Sequence, residues 1–209
     1  MERKKFKENL IFDMGNVLIG YRWKEMLTED FGLSGTEAEE IGRQLFEDPI
    51  WDDFDGGHKE IDRVIEHYCD LYPEKSDVIK RFFYEGERMK VDRPRVWELV
   101  MKLKEQGHRI YVLSNYSEFL FKKHTEAVPF MDRLDGMVVS YEVRCLKPDP
   151  AIFRALIDKY DLDPKKCVFF DDLIRNVEAA RSLGMEAVHV TDEEMLISYL
   201  AKGRVKREE

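Results

Sequence analysis

The stretch Leu10-Ile11-Phe12-Asp13-Met14-Gly15-Asn16-Val17-Leu18 decides how the rest of the chain is read. The apolar residues Leu10 to Phe12 fit a buried strand, and Gly15 and Asn16 just beyond Asp13 favour a turn. In an open parallel sheet, ligands bind outside the carboxyl ends of the strands. Asp13 therefore stands where a carboxylate points into a crevice, although a lone aspartate after a strand serves equally well as a turn or cap residue.

Working outward, further short apolar runs at 110–113, 137–139, 168–170 and 187–190 read as buried strands. Amphipathic stretches at 95–106, 151–160, 173–183 and 193–201 alternate with them, and Gly107, Gly184 and Gly203 mark helix stops. Strand alternating with helix predicts an α/β fold built on a doubly wound parallel sheet. The alternation fails between the first and second strands. There, helical periodicity at 24–31, 37–46, 60–71 and 78–89 is punctuated by Gly32-Leu33-Ser34-Gly35 and by a turn-rich Asp52-Asp53-Phe54-Asp55-Gly56-Gly57. This is too long for one crossover. It predicts a helical cap subdomain, residues 19–93, inserted into a core made of residues 1–18 and 94–209. Residues 204–209 read as a solvated tail.

The net charge of −9 disfavours nucleic acid and anionic membrane as partners, because both reward a basic face. An anionic small molecule must then meet a local positive site. No run approaches the roughly 20 apolar residues of a membrane span, and the apolar stretch after the basic start is too short for a secretory signal. A cytoplasmic protein is expected. Cys69, Cys145 and Cys167 have neither Cys-x-x-Cys nor Cys/His metal spacing, so neither a disulfide framework nor a zinc site is expected.

The other strand ends carry the chemistry. The second strand runs into Ser114-Asn115, whose hydroxyl and backbone N–H suit a phosphate oxygen. Leu146-Lys147-Pro148-Asp149-Pro150 sets a lysine in a proline-rich loop, and the fourth strand ends in Phe169-Phe170-Asp171-Asp172. Singly, each would be a cap or a solvated side chain. At successive crevice positions they form an anion-plus-metal site.

In that order these residues resemble the haloacid dehalogenase (HAD) superfamily, in particular its small sugar-phosphate phosphatases with a helical cap after the first strand. Asp13 matches the nucleophile of motif I, Ser114 motif II, Lys147 motif III, and Asp171-Asp172 the double-aspartate form of motif IV, followed by Asn176-Val177-Glu178-Ala179-Ala180. The resemblance covers nearly the whole chain. It implies strand order 5-4-1-2-3, with Asp13 and Asp171 on neighbouring strands. It also implies a Mg²⁺ held by Asp13, the carbonyl of Gly15 and Asp171, with Asp172 binding directly or through water. Ser114 and the Asn115 N–H would then fix a phosphate oxygen while Lys147 neutralises the crowded carboxylates. Asp13 would attack in line, giving an aspartyl-phosphate that water hydrolyses.

One departure from the family pattern matters. Motif I usually reads Asp-x-Asp, the second aspartate serving as acid and base, but the matching residue here is Gly15. General acid–base help is worth about 10²- to 10⁴-fold. Its loss predicts a preference for leaving groups that tolerate negative charge, such as a hexose 1-phosphate. Asn16, Trp51, Phe54, Asp55 and His58 are the expected substrate contacts, and His58 is the first candidate for a replacement acid; packing and capping explain the same residues otherwise. His67, His108, His124 and His189 show no ligand spacing. The alternatives are a HAD-fold phosphate-binding or regulatory protein without chemistry, and a metal-independent 2-haloacid dehalogenase, against which Asp171 and Asp172 argue. A response-regulator receiver is excluded by the order of its acids. Periodicity sets neither the substrate nor the oligomeric state.

Overall fold

The computed structural model describes residues 7–202, so the expectations for the tail, the Gly203 helix stop and the first six residues lie outside it. The chain runs β1 (Asn9–Phe12), β2 (Ile19–Tyr21), α1 (Trp23–Glu25), α2 (Gly35–Phe46), α3 (Pro49–Asp55), α4 (Ile61–Leu71), α5 (Ser76–Tyr84) and β3 (Lys90–Asp92). It continues with α6 (Pro94–Glu105), β4 (Arg109–Ser114), α7 (Glu118–Thr125), β5 (Gly136–Val139), α8 (Ser140–Val143) and α9 (Pro150–Tyr160). β6 (Cys167–Asp171), α10 (Ile174–Ser182), β7 (Glu186–His189) and α11 (Glu193–Lys202) complete it.

The main sheet has the order β5-β4-β1-β6-β7 and is parallel throughout, which is the expected 5-4-1-2-3 read from the other edge. Its strands are apolar on both faces because each face is covered. Leu10, Phe12, Val112 and Phe170 belong to one core, with Val96 of α6 and Leu200 of α11. Ile11, Tyr111 and Phe169 point the other way, into a core with Phe153 of α9 and Val177 of α10. Phe12 and Phe170 stack at 4.6 Å, fastening the two strands whose ends carry the central acids.

A short antiparallel pair, β2 with β3, joins the points where the chain leaves the sheet and returns to it. The sequence analysis does not anticipate it, because runs of three residues carry too little pattern. The helical stretch expected at 24–31 is α1 running into a wide π-turn, Met26–Asp30, and that expected at 78–89 is α5 followed by the 3-10 turn Gly86–Met89. The turn expected at 52–57 is largely helix instead. Asp48 caps it by accepting from Ile50 N at 2.9 Å, Pro49 supplies a preset φ at its first position, and the chain reverses only at Gly57, with φ +69. α7 is also absent from the predicted helices; its Lys122-Lys123-His124 run interrupts the apolar stripe.

The insert has its own aromatic packing around Phe54, Tyr68, Phe82 and Phe83. Gly42 permits it: a Cβ there would stand 2.5 Å from the Trp23 ring. Among the described residues, no helix is long and apolar enough to cross a membrane.

Candidate active site

Parallel register brings the acids together. Phe12 pairs with Phe170, and Asp13 N donates to Phe170 O at 2.9 Å, so Asp13 and Asp171 leave adjacent strands side by side. Both are buried, as are Ser114 at the end of β4 and Lys147 in the loop before α9. Lys147 Nζ lies 2.7 Å from Asp171 Oδ2, 3.0 Å from Asp13 Oδ1 and 3.0 Å from the Leu113 carbonyl. Ser114 Oγ donates to Asp13 Oδ1 at 2.6 Å, and Met14 N donates to the same oxygen at 2.7 Å.

Surrounding groups hold each acid in place. Asp171 accepts from Leu173 N at 2.8 Å and from Asn176 Nδ2 at 2.9 Å. Asp172 Oδ2 accepts from Asn16 Nδ2 at 3.0 Å; Asn16 sits in the left-handed region, φ 53, that Asn tolerates better than most residues. Arg93 Nη1 donates to the Asn16 carbonyl at 2.5 Å, tying the loop after β1 to the start of α6. Asn115 clamps the lysine loop from both sides: its Nδ2 donates to Lys147 O at 2.9 Å and its Oδ1 accepts from Lys147 N at 2.7 Å. The expected anion-binding residue thus has a positioning side chain.

Burial is the largest influence on Asp13 and pushes its carboxyl up to about 7; Lys147 opposes this while Asp171 and Asp172 add to it. Burial also raises Asp172, reinforced by Asp171. Burial works against the charge of Lys147, yet Asp13 and Asp171 outweigh it and hold the ammonium above the usual lysine range. Three carboxylates therefore face one ammonium. Asp13, Asp171 and Asp172 offer oxygens that all lie within 4.8 Å of one another, a donor set of hard oxygens with surplus negative charge that fits a divalent cation such as Mg²⁺.

A cleft of about 490 Å³ opens over this cluster. Asp13, Gly15, Asn16, Asn115, Lys147 and Asp172 border it, as do Trp51 and Asp55 of α3. Two expected substrate contacts do not. Phe54 turns into the core of the insert, 2 % exposed, because the helix that replaces the expected turn packs it edge-on against Phe83 and beside Trp51. His58, beyond the end of that helix, is exposed and off the cleft, so the expected replacement acid is not delivered there. Burial pushes Asp55 up to about 7, its charge disfavoured further by Asp52, while Ser117 N donates to it at 2.9 Å.

The cleft also takes in Tyr21, Trp23, Tyr116, His124, Arg175 and Asn176, none of them an expected site residue. Asn176 lies in the run that carries the family resemblance, and that was the available signal. Tyr21 and His124 have none, since the β2–β3 pair and α7 that deliver them are themselves not legible.

A central strand ending in a buried aspartate, with a lysine and two further aspartates beside it and the helices α1 to α5 between β1 and β4, defines a doubly wound α/β fold with an acid-rich site at its strand ends. Residues 8–184 match the model of the haloacid dehalogenase-like hydrolases, and the chain belongs to that family. It is 26% identical to the sesquiterpene phosphatase of Aspergillus oryzae, over 87% of this chain and 89% of the relative. To the D-ribitol-5-phosphate phosphatase of Bacteroides thetaiotaomicron it is 24% identical, over 86% and 89%. A HAD family enzyme of the same bacterium, solved with magnesium and inorganic phosphate, shares the fold at TM-score 0.70 and 22% identity, covering 88% of this chain and 93% of that one.

Proposed function

We propose that the protein is a Mg²⁺-dependent phosphatase of small phosphoesters that works through an aspartyl-phosphate on Asp13. The gathering of Asp13, Ser114, Lys147, Asp171 and Asp172 into one cluster, of which Asp13, Lys147 and Asp172 border the cleft, carries this reading. Asp13, Asp171, Asp172 and the Gly15 carbonyl would hold the cation, which when bound screens the acids from the phosphoryl group and neutralises charge on its oxygens. Ser114 and Lys147 orient the Asp13 carboxylate, and Lys147 presents positive charge to the incoming anion. The Asn115 N–H adds a donor for a phosphoryl oxygen. Asp13 attacks phosphorus in line as the ester oxygen leaves, and water then cleaves the acyl phosphate. The dehalogenase alternative has no use for the adjacent acids Asp171 and Asp172.

A small phosphorylated metabolite suits a chain of charge −9 better than nucleic acid does. Sugar and polyol phosphates form one substrate class, in line with the ribitol-phosphate relative. A second reading rests on the cleft wall. Trp23, Phe46, Trp51, Met89 and Leu120 border it, and Phe46 remains 37% exposed, so the alcohol portion meets an aromatic surface that also suits a terpenyl or aryl phosphate. The test is phosphate release from a panel of metabolite, prenyl and aryl phosphates, with Mg²⁺ and with EDTA, by wild type and by Asp13→Asn. Metal-dependent release lost in the variant is expected; release that survives Asp13→Asn would refute the assignment.

A further inference from the structure

Position 15 carries no side chain, and Tyr21 fills the space one would enter. A Cβ on Gly15 would stand 2.8 Å from the Tyr21 hydroxyl oxygen and 2.9 Å from its ring carbon Cε2. The Tyr21 hydroxyl lies 2.5 Å from that of Tyr116, which lies 2.6 Å from Nδ1 of His124. His124 Nε2 is in turn 2.9 Å from the Gly86 carbonyl. All three rings border the cleft that holds Asp13.

The directions of these bonds follow from the last one. A carbonyl only accepts, so Nε2 carries a proton; in the neutral ring Nδ1 then accepts from Tyr116, and Tyr116 accepts from Tyr21. The Tyr21 oxygen is left with a lone pair for the cleft. In the imidazolium form Nδ1 donates instead, every bond reverses, and Tyr21 turns its own proton to the cleft. The same heavy atoms thus serve as base or acid according to the state of His124. In either direction each hydroxyl donates one bond, so each tyrosine keeps one proton throughout. Burial lowers His124; Lys90 and Lys123 also lower it, while Glu87 and the bond to Gly86 favour its charge.

We propose that Tyr21 is the acid–base residue of the reaction, occupying the place of the side chain that Gly15 lacks, with Tyr116 and His124 as positioning residues that supply and receive its proton. The proposal rests on the phosphatase reading. In the first step an Asp13 oxygen bonds to phosphorus and the bond to the ester oxygen breaks. That oxygen takes the Tyr21 proton, Tyr21 takes that of Tyr116, and Tyr116 takes the Nδ1 proton of the imidazolium. In the second step a water oxygen bonds to phosphorus and the bond to Asp13 breaks. The water proton passes to Tyr21, the Tyr21 proton to Tyr116, and the Tyr116 proton to Nδ1, so alcohol and phosphate depart and the imidazolium is restored.

Tyr21→Phe keeps the ring against Gly15 and removes only the hydroxyl. Alkyl phosphates need a protonated leaving oxygen, whereas 4-nitrophenyl phosphate does not. The variant should therefore lose about 10²- to 10³-fold in kcat/KM on an alkyl phosphate and at least about tenfold less on the aryl one. Its slope of log kcat/KM against leaving-group pKa should steepen. Tyr116→Phe and His124→Gln should fall in the same direction, and combining either with Tyr21→Phe should add little. Gly15→Asp with Tyr21→Gly should recover alkyl phosphate hydrolysis relative to Tyr21→Phe, and melting curves would verify folding. Equal losses on both substrates, or a selective loss in Asp55→Asn in place of Tyr21→Phe, would overturn the relay alone. Absence of any Asp13-dependent phosphate release would overturn the phosphatase reading with it.

Discussion

Lys147 Nζ is 2.7 Å from Asp171 Oδ2, and both side chains are sealed from solvent. The same ammonium also reaches Asp13, so it is the positive charge of a buried acidic cluster. Removing one partner of such a pair leaves the other uncompensated, at a cost of about 3–5 kcal/mol. Lys147→Met should lower the melting temperature strongly in EDTA, with partial recovery in MgCl₂ as a divalent cation replaces the missing charge. An unchanged melting curve in EDTA would show that the pair contributes nothing to stability.

The metal assignment separates Asp171 from a nearby residue of the same strand. Cys167 sits at the far end of β6, packed in the core with Ile11, Phe153 and Phe169. At a Mg²⁺ concentration 100 times Kd, the wild-type protein should gain about 2.7 kcal/mol of stability over its EDTA state. Cys167→Ala should keep that increment from a lowered baseline, and Asp171→Asn should lose it. Equal increments in the two variants would remove Asp171 from the ligand set.

The fold was legible where pattern and burial coincide. Strands apolar on both faces, such as Val168 to Phe170, leave continuous runs, and the strand order entered through the family motifs. Asp13 and Asp172 could be placed on the cleft because strand ends are topologically fixed, and Lys147 because its proline-rich loop leads into the next helix. The insert was legible only in outline. Its helices announce themselves by periodicity, but which side chains they aim at the cleft depends on phase. A turn and a helix over residues 52–55 present different residues, hence the errors at Phe54 and His58. Tyr21 was hidden for a further reason: its role depends on the space above Gly15, and no local pattern records that contact.

Asp55 offers a pH test away from the proposed metal ligands. Its carboxyl is raised from 3.8 to about 7 by burial, so the folded state retains a proton that the unfolded chain has lost. The stability this contributes is fully present below the unfolded value, declines as pH rises, and is gone above about 7. Asn retains an acceptor for Ser117 N and has no charge to desolvate. Asp55→Asn should match wild type near pH 4 and exceed it by about 1–2 kcal/mol at pH 8, a figure reduced for the partial exposure of the group. Urea melts at the two pH values measure the difference; a variant that is less stable at pH 8 would contradict it.

The aromatic wall sets the last prediction. Phe46 packs edge-on against Trp51 at 4.7 Å and against Trp23 at 5.2 Å, so the rings hold one another in place beside the cleft. If the alcohol portion of the substrate rests on this surface, truncating Trp51 removes apolar contact from an apolar substrate and much less from a polyol. Burying a ring of this size is worth about 1.5–3 kcal/mol. Trp51→Ala should therefore cut kcat/KM for a prenyl phosphate by about 10- to 100-fold and that for ribitol 5-phosphate by less than about threefold, the rate on inherently reactive acetyl phosphate serving as control. Equal losses on the prenyl and ribitol esters would mean that Trp51 supports the insert without touching the substrate, and the apolar reading of the cleft would fall.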